Sequence, residues 1–135
     1  MNRKDARESL MQLLFQMDAQ NDFGVVISEK YIIEYVQGSD QEKYFRSVLK
    51  AFKEHKDEID SLIEKNSNGW KLGRIAKVDL AVLRLSIAES RFCKEENVPE
   101  NISISEAVVI AKKYGEEGSG KFVNGILGSI ARNNG

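Results

Sequence analysis

Most enzyme chemistry needs an acid–base pair, an activated nucleophile or a cluster of metal ligands, and these 135 residues supply little of any. His55 is the single histidine and lies in the charged run Glu54 to Glu58, where a solvated imidazole is expected. Cys93 is the single cysteine; with no companion at ligand or redox spacing it reads as a small buried side chain. The pairs Glu95-Glu96 and Glu116-Glu117 are sequence neighbours near helix ends, and nothing around them would drive two acidities apart. The expectation is a protein that is not an enzyme, with no metal and no cofactor.

One segment approaches a phosphate-binding pattern. Gly115 to Lys121, GEEGSGK, fits the first seven positions of the loop G-x-x-x-x-G-K. The eighth position must be Ser or Thr to hold magnesium, and Phe122 stands there. The segment also follows a helical pattern where a strand is required, so nucleotide hydrolysis is not expected. Glycine-freed amides beside a lysine at a helix start still suit a phosphate oxygen. Arg3, Lys4 and Arg7 form a second cationic group at helical spacing. Three basic residues on a surface helix commonly serve solubility alone. If the glycine-rich loop packs beside them, Lys121 and Phe122 complete the set that single-stranded RNA recognition uses: cations for phosphates and a ring for bases. For Phe122 a core role competes, because it opens the stripe continued by Ile126 and Ile130.

The elements that must position these residues read as helices throughout. Residues 3 to 20 place Ala6, Leu10, Leu13, Leu14 and Met17 on one face. Ser28 could cap a second helix burying Ile32, Ile33, Tyr35 and Val36, ended by Gly38. Ser39 to Glu42 has the form of a capping box before Phe45, Val48, Leu49 and Phe52; the pattern resumes with Ile59, Leu62 and Ile63, with or without a break near His55. After the turn Asn66 to Gly69, the segment Trp70 to Glu89 is apolar almost all round and is expected at the centre of the core, with a break near Val78 if Asp79 acts as a cap. Helix should persist to about Glu95 and stop before Pro99. Ser103 to Glu106 is a second capping-box pattern, its helix burying Ala107, Val108, Ala111 and Tyr114. A last helix buries Phe122, Val123, Ile126, Leu127 and Ile130. The sum is an all-α bundle of six or seven helices.

Bulk properties fit one such domain. Hydrophobic residues make up 41% and charged residues 30%, with a formal net charge of −1, so a nucleic-acid site would have to be a local patch. The opening residues are charged, no apolar run reaches membrane length, and a lone cysteine suits a reducing compartment; a cytoplasmic protein with no membrane partner is expected.

The order ARESLMQLLFQMD (Ala6 to Asp18), WKLGRIAKVDLAVLRL (Trp70 to Leu85), Val98-Pro99, ISEAVVIAKKYG (Ile104 to Gly115) and KFVNGIL (Lys121 to Leu127) resembles the NusB family of bacterial transcription antitermination factors. The likeness covers nearly the whole chain, although residues 21 to 68 match in pattern only. It implies two small helical subdomains, 1–66 and 70–135. It also implies binding to the boxA element of nascent ribosomal RNA transcripts as a heterodimer with ribosomal protein NusE, in an assembly with NusA, NusG and RNA polymerase. By the same resemblance RNA contacts fall on Arg3, Lys4, Arg7, Lys121 and Phe122, and the protein partner on Phe15, Asp79 and Arg84. A module that binds proteins and has negligible RNA affinity by itself is the alternative. Three departures stand out: Asp5 interrupts the basic run, Gly73 follows Leu72, and Phe15 stands where many relatives carry tyrosine. Asp5 is expected to weaken RNA binding. The fold also occurs ahead of the catalytic domain of ribosomal RNA cytosine methyltransferases, for which 135 residues leave no room.

Overall fold

The long apolar patterns become helix in the computed structural model, which describes residues 1–134. Seven α-helices follow in order: α1 (Arg3–Gln20), α2 (Val25–Tyr35), α3 (Glu42–Glu54), α4 (Lys56–Lys65), α5 (Lys77–Ile87), α6 (Glu100–Tyr114) and α7 (Ser119–Asn134). The all-α reading holds, and no strand occurs among the described residues. None of their helices is long and apolar enough to cross a membrane.

The expected core segment is central. Every residue from Asp79 to Glu89 is buried, with α1 along one side of α5, α6 and α7 along another, and α3 and α4 closing the rest. The helix is shorter than its pattern. A 3-10 turn at Leu72–Arg74 and extended backbone at Ile75 and Ala76 precede α5, so Trp70 lies outside it and is 52% exposed. Asp79 is not the cap but the third helical residue, where a carboxylate still meets the positive end of the helix dipole. Past Ile87 the chain widens into a π turn, Ala88–Phe92, then a 3-10 turn, Lys94–Glu96.

Several caps sit elsewhere than their sequence signatures. α2 starts after Gly24, and Ser28 is interior, its hydroxyl donating back to the Gly24 and Val25 carbonyls. Ile33 and Tyr35 are exposed, because α2 meets the bundle along one narrow arc that Ser28, Ile32 and Val36 fill. At the third helix, Ser39 Oγ accepts from the Gln41 amide and Glu42 accepts from the Gly38 amide, bonds that fix the preceding turn, while the N-cap is Gln41 and the expected box does not form. α3 does end at Glu54, where His55 adopts φ −122° and ψ 21° and stacks on Phe92 at 4.4 Å. α6 begins directly after Pro99, which leaves Ser103 in its interior and fully buried. Ala107 and Ala111 are buried as expected, whereas Tyr114 is 36% exposed.

Candidate nucleic-acid interface

The amino end of α1 is held by a reciprocal cap. Asn2 Oδ1 accepts from the Asp5 amide at 2.8 Å, and Asp5 Oδ2 accepts from the Asn2 amide at 3.2 Å. Asp5 is therefore the helix's own N-terminal anchor, not a stray acid among the cations. Asp5→Ala should lower stability by about 1 kcal/mol, measured by denaturant unfolding, even though it removes a negative charge from the patch.

The three cations of α1 have different fates. Lys4 is exposed and has no ion pair among the described residues. Arg3 is half engaged: its Nε donates to Gln41 Oε1 at 2.6 Å and its guanidinium lies 3.9 Å from the Tyr44 ring centre. Arg7 is not on the open edge expected for it. It is buried, donating from Nε to Glu89 Oε2 at 2.7 Å, with Glu106 3.6 Å from Nη1. Burial, the largest influence, disfavours its charge, but Glu89, Tyr44 and Glu106 together outweigh it and its pKa rises. Glu89 also accepts from the hydroxyl of Tyr44, and from Ser103 Oγ at 2.7 Å. Burial, chiefly, and the adjacent carboxylate push the Tyr44 phenol well above its ordinary range. A buried polar knot thus ties α1, α3 and α6 to the π turn after α5.

The second cationic group lies where α6 gives way to α7. Gly115 permits this corner, since a Cβ there would collide with Ser119 and with the Ala111 carbonyl. Ser119, Gly120 and Lys121 form the first turn of α7 and not a loop; Ser119 Oγ accepts from the Glu116 amide at 3.0 Å. Lys121 is exposed and, like Lys112, has no ion pair among the described residues. Phe122 is half buried at the edge of the core, so neither reading of it is discarded: one part packs and one part faces out.

Each group touches α6 at one place. Arg7 faces Glu106 on its middle, while Lys112 lies over Gly120, where a Cβ would come 2.7 Å from the lysine Cγ. Glu106 and Lys112 are six residues apart, about 9 Å along the helix. Between the two groups sits an acid: Glu8 of α1 accepts from Lys113 at 3.1 Å and from the Tyr114 hydroxyl at 2.5 Å.

The residues expected to face a protein partner also separate. Phe15 is 37% exposed and lines a pocket with Val78, Asp79 and Tyr114. Asp79 is buried there, and its Oδ1 has no hydrogen-bond partner. Burial, foremost, raises its pKa against the pull of the Ser119 hydroxyl. Arg84 is 2% exposed and faces inward, its Nε and Nη2 on Asp60 at 2.9 and 3.0 Å and its Nη1 on Asp18 at 3.1 Å. Its position is that of a core cation paired with carboxylates. Among the described residues no group of acids, cysteines and histidine could hold a metal ion.

The model of the NusB family matches residues 4–132. The chain belongs to the NusB family. It is 41% identical over 132 residues to the transcription antitermination protein NusB of Acetivibrio thermocellus, covering 98% of this chain and 90% of that one. To NusB of Alkaliphilus oremlandii it is 42% identical over 135 residues, covering 100% and 96%. Among solved structures, T. maritima NusB superposes with a TM-score of 0.85 at 36% identity, over 98% of this chain and 92% of that one. A complex of the antitermination factors NusB and NusE with double-stranded RNA matches with a TM-score of 0.82 at 29% identity, over 96% of each chain. Both of these curated relatives are transcription antitermination proteins.

Within this NusB fold, sequence reasoning passed over Glu89 and Tyr44 and gave Ser103 a capping role, although one signal was present. Glu89 closes an otherwise apolar segment, and a carboxylate at a buried helical position demands a cation and donors. Their identity was not legible, since Arg7 lies 82 residues away.

Proposed function

We propose that this chain is a transcription antitermination factor of the bacterial cytoplasm. In this reading it holds the boxA element of nascent ribosomal RNA as a heterodimer with NusE, within an assembly containing NusA, NusG and RNA polymerase. The observation that carries the reading is the pair of exposed cations without an ion pair among the described residues, Lys4 on α1 and Lys121 on α7, on two helices that each touch α6 through a neighbouring side chain, Arg7 on Glu106 and Gly120 under Lys112. Similarity to a NusB bound to NusE and double-stranded RNA supports the same choice of partners.

The roles divide by exposure. Lys4 and Lys121 meet phosphates, Arg3 leaves Gln41 and Glu96 for a third, and Phe122 offers the outer part of its ring to a base. Arg7 positions α1 from beneath. Phe15 and Asp79 face NusE, whose donor would satisfy the unpartnered Asp79 oxygen, and Arg84 stays in the core.

The test is titration of single-stranded boxA RNA at several salt concentrations, with and without NusE. Lys4→Ala and Lys121→Ala should each reduce the slope of log affinity against log salt by about 0.7. Unchanged affinity of the double variant at low salt would overturn the assignment. The ion pair of Lys113 with Glu8 and the burial of Arg7 favour a second reading, in which the isolated chain binds RNA negligibly and NusE completes the site. A flat salt slope for the isolated chain, steep only with NusE, would select it.

A further inference from the structure

The turn after α4 and the outer face of α7 enclose a groove that the reading above leaves unused. One wall is Asn66, Asn68 and Trp70; the other is Phe122, Gly125 and Arg132. The indole of Trp70 is 52% exposed and is not part of the core. Arg132 is exposed, has no ion pair among the described residues, and folds back over Gly128, where a Cβ would lie 3.2 Å from its Nη1. At Gly125 a Cβ would meet nothing within 4 Å, so the floor is open.

The wall is rigid. Asn66 Nδ2 donates to the Leu62 carbonyl at 2.8 Å, and its Oδ1 accepts from Ser129 Oγ at 2.8 Å, which fastens the turn to α7. Ser67 Oγ reaches the Trp70 carbonyl at 2.7 Å, and the Trp70 amide donates to the Ser67 carbonyl at 3.1 Å. The backbone that carries the indole is therefore held in place before any ligand arrives, which lowers the ordering cost of binding.

Charge selects the occupant. The grooves between α1 and α2, beside Phe92, along α2 and α3, and beneath Phe15 all carry carboxylates. This one has none, and its one charged residue is Arg132. Side-chain amides, two rings and an unpaired guanidinium match an unpaired base with its phosphate. Lys121, Gly125, Gly128 and Arg132 also follow one stripe of α7, with a cation at each end about 16 Å apart. The stripe continues the track that begins at Lys121 and Phe122.

We propose that the groove between the 66–70 turn and α7 is a second RNA subsite, in which an unpaired base stacks on Trp70 and its phosphate pairs with Arg132. This subsite rests on the RNA-binding reading above and extends it to a surface outside the amino-terminal cations.

Trp70 is the only tryptophan of the chain and reports directly on stacking. Short single-stranded boxA RNA is titrated, with and without NusE, while Trp70 emission and the anisotropy of labelled RNA are followed together. Emission should be quenched over the range in which anisotropy rises. Trp70→Ala should weaken binding about ten-fold, with Trp70→Phe recovering part of the loss. Arg132→Gln should reduce the salt slope by about 0.7. Gly125→Leu, which fills the floor and keeps both the indole and the guanidinium, should weaken binding and abolish the quenching. Rising anisotropy with unchanged emission, and wild-type affinity in Trp70→Ala and Gly125→Leu, would overturn the subsite and leave Lys4 and Lys121 in place. Anisotropy that never rises, even with NusE, would overturn both readings. Quenching by NusE without RNA would assign the groove to a protein and overturn the subsite alone.

Discussion

Glu89→Ala should destabilise the fold by about 3–5 kcal/mol, the range found when one member of a buried ion pair is removed. The carboxylate is 1% exposed and accepts from Arg7, Tyr44 and Ser103, which come from three different helices. Its loss would leave the Arg7 guanidinium buried against Tyr44 with only Glu106, at 3.6 Å, as a counter-charge. An unmet buried charge costs more than the pair contributed, so truncating one side is worse than removing both. The double variant Arg7→Met, Glu89→Ala should therefore recover much of the loss. Denaturant unfolding of the two variants decides the matter. A single variant within 1 kcal/mol of wild type, or a double variant as unstable as the single, would refute the account. If Glu89→Ala does not fold, the double variant still tests it.

The same knot explains why the start of α1 can display cations at all. Arg7 anchors α1 from below while Lys4, one turn earlier, remains free in solvent. Asn2 and Asp5 fix the first turn, so the exposed lysine projects from a formed helix and not a frayed end. On α7, Gly115 and Ser119 perform the equivalent task for Lys121. A cationic surface on a chain of net charge −1 is built by burying or pairing its competitors, and Glu8 beside Lys113 and Tyr114 shows that this neutralisation is local.

Where a helix presents one face to the core, the sequence was readable. Ala6, Leu10, Leu13, Leu14 and Met17 of α1 and Phe45, Val48, Leu49 and Phe52 of α3 are all buried as their spacing requires. α2 was misread because four apolar residues between Ile32 and Val36 exceed what a peripheral helix can turn inward. Capping patterns failed for a different reason. Ser28 and Ser103 look like caps, but each satisfies its hydroxyl inside the fold, Ser28 on its own preceding turn and Ser103 on Glu89. The working box at Asn2 and Asp5 uses Asn-x-x-Asp, a less familiar version of the same reciprocal geometry. Arg7 and Arg84 escaped the periodicity argument altogether. A long guanidinium side chain at the margin of an apolar stripe can turn inward when a carboxylate waits there, and the carboxylates are contributed by residues up to 82 positions away.

Arg84→Met should cost about 3 kcal/mol near neutral pH, and that cost should shrink as the solution is acidified. Arg84 is 2% exposed and holds Asp60 through two nitrogens and Asp18 through a third. Methionine keeps most of the apolar stem but leaves two part-buried carboxylates without their shared cation. Lys56 on Asp60 and Lys77 on Asp18 remain, which keeps the loss below that of an isolated buried charge. In the wild type, burial acts to raise the Asp18 pKa but Lys77 and Arg84 outweigh it, so the net shift is downward. A depressed carboxyl contributes stability that is present above its unfolded value, about 3.9, and is lost as pH falls through the folded one. In Arg84→Met the share of that depression that Arg84 supplied is gone, so protonating Asp18 costs the variant less than it costs the wild type. The stability difference between wild type and variant, measured by denaturant unfolding from pH 7 down to pH 4 and below, should narrow with acid. A difference that stays constant or widens would refute a stabilisation that works through the charge of Arg84.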